Sequence, residues 1–338
     1  MRRCLELAQK GIGTTRPNPS VGAVLVVDGK IIGEGFTKPY GQSHAEVNAI
    51  GSVEDKELLK QATMYVTLEP CSHYGKTPPC SLLIVNSKIP KVVIGCLDTN
   101  SLVSGRGVKM LEDAGCEVIT GVLEEECRVQ HRRFFTYHEK KRPHIILKWA
   151  ESKDGFIAPK SRNSRKPVWI TNKISRQLVH QWRAQEHAIL VGTTTTIQDN
   201  PKLNVRSWDG ENPVRIVIDR NLRVPKKSHI YDQSVKTIFL TEMERENEMN
   251  VVFEKIDFSK SLAQGICDVL FKHRIQSVII EGGTQTLQTF IDAGLWDEAR
   301  VFTGDVKFED GVEAPKFNIK HVDQKDLGSD TLKIYYND

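Results

Sequence analysis

The 338-residue chain lacks any apolar run near the roughly 20 residues that a bilayer-spanning helix needs. Its start, Met1-Arg2-Arg3-Cys4-Leu5-Glu6, has no apolar stretch behind the charges. Neither secretion nor a membrane partner is therefore expected. A surplus of one charge is also missing: 47 basic residues face 43 acidic ones, a net +4 that does not by itself imply nucleic acid. The seven cysteines are an odd number in a long chain without a leader, which argues against a disulfide framework and for reduced thiols in the cytoplasm. There is no fixed-period repeat or low-complexity tract. No Gly-x-Gly-x-x-Gly with a strand before it and a helix after it occurs, which disfavours a Rossmann nucleotide domain.

What is present describes a globular protein of two domains. At about 150 residues per domain the length suits two cores, and 39% hydrophobic against 27% charged residues excludes a disordered chain. Residues 2 to 10 carry apolar positions at helical spacing. Two apolar runs, 21 to 27 and 30 to 36, meet at Asp28-Gly29, a hairpin signal. Helices at 44 to 53, 80 to 87 and 106 to 114 then alternate with strands at 62 to 68, 91 to 95 and 117 to 120, an α/β pattern filling residues 1 to 140. The stretch from Gln130 to Pro143 is basic with interleaved aromatics. It reads as a helix end with Phe134 and Phe135 packed inward and Pro143 as the stop, hence a domain boundary, although such a pattern also suits single-stranded nucleic acid. From 144 to 338 a second series begins, with strands at 144–149, 187–192, 214–218, 236–240, 276–281, 298–303 and 331–336. Helices are expected at 173–185, 261–273 and 284–293. The first helix starts abruptly, as though a few leading residues were missing.

One cluster is chemically specific. His44-Ala45-Glu46 is followed, beyond a strand, by Pro70-Cys71 and, nine residues on, Cys80. One imidazole and two thiolates suit Zn2+ in a tetrahedron, and three protein ligands leave a place for water, the mark of a catalytic site. A carboxylate that does not bind the metal is then needed to shuttle protons between that water and a departing amine, the arrangement of zinc deaminases, and Glu46 fits it. Two residues apart in mid-helix, His44 and Glu46 would not share a face, so the pair belongs at a helix N-terminus. A closed zinc knot with His73 as fourth ligand, or thiols without metal, remain alternatives. Cys96, Cys116, Cys127 and Cys267 read as small buried apolar residues.

The run Glu69-Pro70-Cys71-Ser72-His73-Tyr74-Gly75-Lys76-Thr77-Pro78-Pro79-Cys80, with Pro17-Asn18-Pro19-Ser20-Val21-Gly22, closely resembles the bifunctional riboflavin-biosynthesis deaminase/reductase family. In the second half Trp169-Ile170-Thr171, Arg183-Ala184, Asp199-Asn200-Pro201-Lys202-Leu203 and Glu281-Gly282-Gly283-Thr284 extend the resemblance over nearly the whole chain. It implies a cytidine-deaminase-like domain over 1–140. There, zinc-dependent hydrolysis would deaminate 2,5-diamino-6-ribosylamino-4(3H)-pyrimidinone 5′-phosphate. It implies a dihydrofolate-reductase-like domain over 144–338, in which NADPH would reduce the ribosyl group to give 5-amino-6-(5-phospho-ribitylamino)uracil. By resemblance His44, Cys71 and Cys80 hold zinc, Glu46 carries the proton and Asn18 meets the substrate. Ala150, Trp169, Thr171, Thr195, Asp199, Leu203, Gly282, Gly283 and Thr284 fall on cofactor positions, and Arg183, Arg206 and Glu281 on substrate positions. The implied partner is a small phosphorylated pyrimidine, not nucleic acid or membrane, bound by a homo-oligomer.

Read without the family, Trp169 and Leu203 suit a core, and Asp199-Asn200-Pro201 a plain turn. Several residues depart from the family pattern: Asp98-Thr99-Asn100-Ser101 where Asp-Pro-Asn-Pro is common, Ser81 where a second Cys is common, Glu151 to Gly155, and Pro167 in place of a substrate-contacting Ser. A nucleic-acid deaminase with an appended binding domain, or a zinc-stabilised scaffold, are the competing classes; the mixed charge around residues 44 to 80 and the presence of Glu46 argue against each in turn.

Overall fold

The alternation of apolar strands with amphipathic helices resolves, in a computed structural model, into two sheets in two units, Met1–Lys141 and Arg142–Asp338. The structure describes residues 1–74, 78–99, 104–160 and 168–337; Gly75 to Thr77, Asn100, Ser101 and Pro167 of the motifs above lie outside the described residues.

In the first unit the order is α1 (Arg2–Gln9), β1 (Gly22–Val27), β2 (Lys30–Phe36), α2 (Ala45–Ser52), β3 (Thr63–Leu68), α3 (Cys80–Asn86), β4 (Lys91–Cys96), α4 (Arg106–Asp113), β5 (Glu117–Ile119) and α5 (Glu124–Lys140). The hairpin turns at Asp28 and Gly29, both at positive φ (49° and 73°), which fits the twist of the flanking strands. The sheet order is β2-β1-β3-β4-β5. β1 is antiparallel to β2 and to β3, while β3, β4 and β5 are parallel. Hence β2, β3 and β4 all point the same way, and the segments leaving their C-terminal ends emerge on one edge. Leu25, Met64, Val66 and Ile94 fill the core beneath, all fully buried. α5 ends at Lys140, with Lys141 in the left-handed region and Phe135 buried.

The second unit runs β6 (His144–Glu151), β7 (Phe156–Pro159), α6 (Lys173–Gln185), β8 (Ala188–Gly192), α7 (Thr193–Asp199), β9 (Val214–Ile218), β10 (Thr237–Thr241), β11 (Val251–Lys255), α8 (Leu262–Lys272), β12 (Ser277–Glu281), α9 (Thr284–Asp292), β13 (Glu298–Thr303), β14 (Gly311–Glu313), β15 (Asp323–Leu327) and β16 (Asp330–Tyr336). Nine of these strands form one sheet in the order β11-β10-β9-β8-β12-β6-β13-β16-β15. It is parallel from β11 to β13, and β16 and β15 add antiparallel strands at one edge. The chain leaves β6 for β8, steps outward through β9 to β11, and returns with β12 between β8 and β6. Order reverses there, and in such sheets ligands lie outside the strands' C-terminal ends.

The structure decides two of the open readings. Trp169 is not core: it is 57% exposed, with the Arg176 guanidinium 4.4 Å from its ring centroid. Asp199-Asn200 is not a plain turn: Asp199 closes α7 and Asn200 is its left-handed cap.

Candidate active sites

At the shared edge of the first sheet, His44 is the N-cap of α2 and Glu46 the second residue of that helix. Asn48 fixes the start of the helix from inside, its amide donating to the carbonyls of Phe36 and His44, each at 2.9 Å. Cys80 opens α3 behind Pro79, a residue that loses nothing by having no N–H there. Its own N–H donates to Sγ of Cys71 (3.3 Å), and the Ser81 hydroxyl donates to the Cys71 carbonyl (3.0 Å), so the long Cys-to-Cys connection is pinned at both ends. Nδ1 of His44 stands 3.7 Å from Sγ of Cys71 and 3.4 Å from Sγ of Cys80. The ligand atoms of the three residues lie within 4.8 Å of one another, the donor set and spacing that a tetrahedral zinc ion takes. Among the described residues no fourth ligand joins them, and His73 is exposed. Two helix N-termini face the cluster and favour thiolate. A hydrogen bond from Cys80, reinforced by His44, holds Cys71 low, to about 4. Glu46 is buried at 4% exposure, and burial, with the Cys71 charge added, pushes its carboxyl up to about 7. A carboxyl poised there can accept a proton and return it. Asn18, half-buried, sits in a Thr15–Asn18 turn just before β1, on the same edge.

In the second unit, Glu281 ends β12. Its Oε2 accepts from Nη2 of Arg183 (2.8 Å) and its Oε1 is 3.8 Å from Nζ of Lys148. Burial works to raise this carboxyl, but Arg183 and Lys148 outweigh it and hold Glu281 down to about 2. The Arg206 N–H donates to Nδ1 of His180 (3.3 Å), which brings a further cation to the group. Nε of Arg183 and Oε1 of Glu281 are buried without a hydrogen-bond partner, donor and acceptor capacity open to a ligand. Gly282 and Gly283 follow at once, and Gly283 caps α9 with no side-chain hydrogen bond, leaving first-turn N–H groups for an anion. Gly192, at the end of the neighbouring β8, lies so close to α9 that a Cβ would fall 2.8 Å from Oγ1 of Thr286. Open space lies where a Cβ of Gly283 would stand, so an anion can approach the backbone there. The Thr284 hydroxyl donates to the Glu313 carbonyl. Thr195 and Asp199 lie on α7, both half-buried, and Thr171 precedes α6. Ala150 lies near the end of β6, packed on the cluster of Val179, Trp182, Ile279, Phe302 and Leu332. Leu203 turns its side chain into a core with Ile189, Val191 and Val217 at φ +52°, and so offers a ligand only backbone.

Sequence reasoning assigned no role to Lys148 or His180. The signal for Lys148 was visible, a lone lysine inside the apolar strand Ile145-Ile146-Leu147-Lys148-Trp149. His180 had none, because it meets Arg206 only through folding.

Comparison with known proteins finds a family match for each unit. Residues 1–96 match the family described as the cytidine and deoxycytidylate deaminase zinc-binding region, and residues 143–306 match the RibD C-terminal domain. The chain is similar to riboflavin biosynthesis protein RibD of Aquifex aeolicus, 40% identical over 96% of this chain and 91% of that one. It is also similar to the RibD of Escherichia coli, 37% identical over 89% and 86%. Among solved structures, a diaminohydroxyphosphoribosylaminopyrimidine deaminase/5-amino-6-(5-phosphoribosylamino)uracil reductase from Thermotoga maritima superposes with a TM-score of 0.91, at 39% identity and covering 99% of this chain and 97% of that one. Acinetobacter baumannii RibD gives 0.89 at 33% identity, with the same coverage.

Proposed function

This chain belongs to the RibD family of riboflavin-biosynthesis proteins, and from that premise we propose how its residues divide the work. It is a bifunctional enzyme, a deaminase that uses zinc and a reductase that uses NADPH. Among the described residues no helix is long and apolar enough to cross a membrane.

The first unit, Met1–Lys141, carries the deaminase, with His44, Cys71 and Cys80 as zinc ligands. The observation that carries this reading is the meeting of those three ligand atoms beside the buried carboxyl of Glu46. Zinc, when bound, lowers the pKa of water toward about 7 and so supplies a nucleophile at neutral pH. Glu46 accepts the proton that water gives up and passes it to the amine that leaves the pyrimidine. Asn18 holds the substrate on the same edge. The substrate is 2,5-diamino-6-ribosylamino-4(3H)-pyrimidinone 5′-phosphate.

The second unit, Arg142–Asp338, carries the reductase. NADPH supplies the hydride. Gly282 and Gly283, with the start of α9, take its pyrophosphate, and Ala150, Trp169, Thr171, Thr195, Asp199, the Leu203 backbone and Thr284 line its path along the strand ends. Arg183, Arg206 and Glu281 hold the ribosylaminouracil phosphate, with Lys148 in the same group. Product is 5-amino-6-(5-phospho-ribitylamino)uracil. Two assays test the division: ammonia release from the diaminopyrimidine phosphate without NADPH, and NADPH oxidation on addition of the deaminated compound. Absence of either overturns that half of the reading.

A further inference from the structure

His180, midway along α6, is buried at 7% exposure, and its Nδ1 accepts the backbone N–H of Arg206 at 3.3 Å. An imidazole nitrogen accepts a hydrogen bond only while it carries no proton. Burial, with the charges of Arg183 and Arg206 added, holds His180 down to about 4, against the opposing pull of Glu281 and of the Asn204 backbone. The ring is therefore neutral at neutral pH and adds no charge to the group around Glu281. It holds a segment of chain instead.

That segment, residues 200 to 213 between α7 and β9, forms neither helix nor strand. Leu203 anchors one end in a core with Ile189 and Val217. Gly210, at φ +146°, anchors the other against α6, where a Cβ would come 2.7 Å from that of Ala184. Between them, Oδ1 of Asn212 accepts the Val205 N–H (2.8 Å) and Oδ1 of Asn204 accepts from Nη1 of Arg206 (2.7 Å), bonds that stay within the segment. The bond to His180 ties this stretch to the helix. On α6, His180, Arg183 and Ala184 share one face at helical spacing. Burial and the charge of Arg183 both lower Arg206, so the two guanidinium groups stand close enough to repel. Among the described residues no carboxylate pairs with the exposed Arg206, whereas Arg183 has Glu281. Two cations brought together in this way are stabilised by an anion between them.

We propose that His180 is a positioning residue of the reductase: by accepting the Arg206 N–H it sets that side chain beside Arg183, so that affinity for the substrate's phosphate depends on this acceptor while NADPH binding does not. This rests on the reductase reading above. Two replacements separate the acceptor from the bulk of the ring. His180→Asn keeps an oxygen close to where Nδ1 stands, and His180→Leu fills similar space with no acceptor. For His180→Leu the dissociation constant of the deaminated ribosylaminouracil phosphate, titrated by calorimetry without NADPH, should rise about tenfold, with KM raised to match and kcat within about threefold of the parent. His180→Asn should stay within about threefold of the parent in both binding measures. The NADPH dissociation constant should be the same in all three proteins, and ammonia release from the diaminopyrimidine phosphate unaffected. If His180→Leu does not fold, His180→Gln replaces it, because its amide oxygen stands one carbon beyond the Nδ1 position, and it should show the weakened binding. Unchanged substrate affinity in the folded variant that lacks the acceptor overturns the inference. An equal loss in the Asn variant, or a parallel loss of NADPH affinity, overturns it too and marks His180 as packing only. If the parent itself neither binds the deaminated compound nor oxidises NADPH in its presence, the reductase reading falls and takes this inference with it.

Discussion

Sγ of Cys80 lies 3.4 Å from Nδ1 of His44, thirty-six residues away in the chain. Each opens or caps its own helix, so two helix starts aim at one point, and Cys71 arrives there from the end of β3. A metal site built this way depends on three separate segments, and losing any one ligand opens it.

The purified protein should accordingly carry one zinc per chain. Cys71→Ser and Cys80→Ser should each abolish it, whereas Cys96→Ser should not, because Cys96 is buried and its thiol donates to the Thr67 carbonyl. Elemental analysis of the variants checks this. Zinc retained in full by Cys80→Ser would remove that residue from the ligand set.

Glu46→Gln should keep zinc and fold but slow deamination by on the order of 10²-fold or more, the usual scale for a positioned acid/base. Reduction of the deaminated compound should be untouched. Near-normal ammonia release by this variant would show that the proton travels by another route.

The sequence made the first site legible because its chemistry sits in contiguous motifs, and the helical period forced His44 and Glu46 to a helix start, where they are. Strands 214–218 and 298–303 were legible to the residue, being short stretches rich in β-branched and aromatic residues between loop signals. α7 was not, because Thr193 to Thr196 are four β-branched residues with no apolar period, held helical by their place after β8. β15, Asp323-Gln324-Lys325-Asp326-Leu327, reads as a loop because an edge strand paired on one side buries almost nothing. Glu69 belonged to a recognised motif, yet its partners are backbone groups some thirty to forty residues away, which no side-chain pattern announces.

Arg183→Ala should weaken binding of the phosphorylated substrate more than that of NADPH. The guanidinium suits phosphate, and its loss removes the one hydrogen-bonded cation of the buried Glu281 among the described residues, leaving Lys148 farther off at 3.8 Å. Titration of the variant with each ligand in turn checks it. Weakened NADPH binding with intact substrate affinity would place Arg183 on the cofactor side.

The second unit is anchored at its first residue. Arg142 donates to both oxygens of Asp297 (2.6 and 2.8 Å), and Asp297 also accepts the Ile145 N–H (2.8 Å). A fragment starting at residue 142 should therefore be more stable than one starting at 144, by about 3 kcal/mol, since the shorter one loses the two-armed Arg142 ion pair that offsets the burial of this carboxylate. Burial acts to raise Asp297, but Arg142 and His144 outweigh it and hold it at about 2 against an ordinary 3.8. A depressed carboxylate stabilises the fold above its unfolded value. The contribution of this pair should be complete above about pH 4 and fade as pH falls through about 2. Denaturation midpoints of the two fragments against pH test both points: equal midpoints at neutral pH would contradict the anchoring.

A chain that joins both units should perform deamination and then reduction. Incubating the intact protein with 2,5-diamino-6-ribosylamino-4(3H)-pyrimidinone 5′-phosphate, with and without NADPH, and weighing the products by mass spectrometry tests it most directly. The expected products are the deaminated ribosylaminouracil phosphate alone without NADPH, and 5-amino-6-(5-phospho-ribitylamino)uracil with it. Unchanged substrate in both tubes, or a product in the second that is still the ribosyl compound, would contradict it.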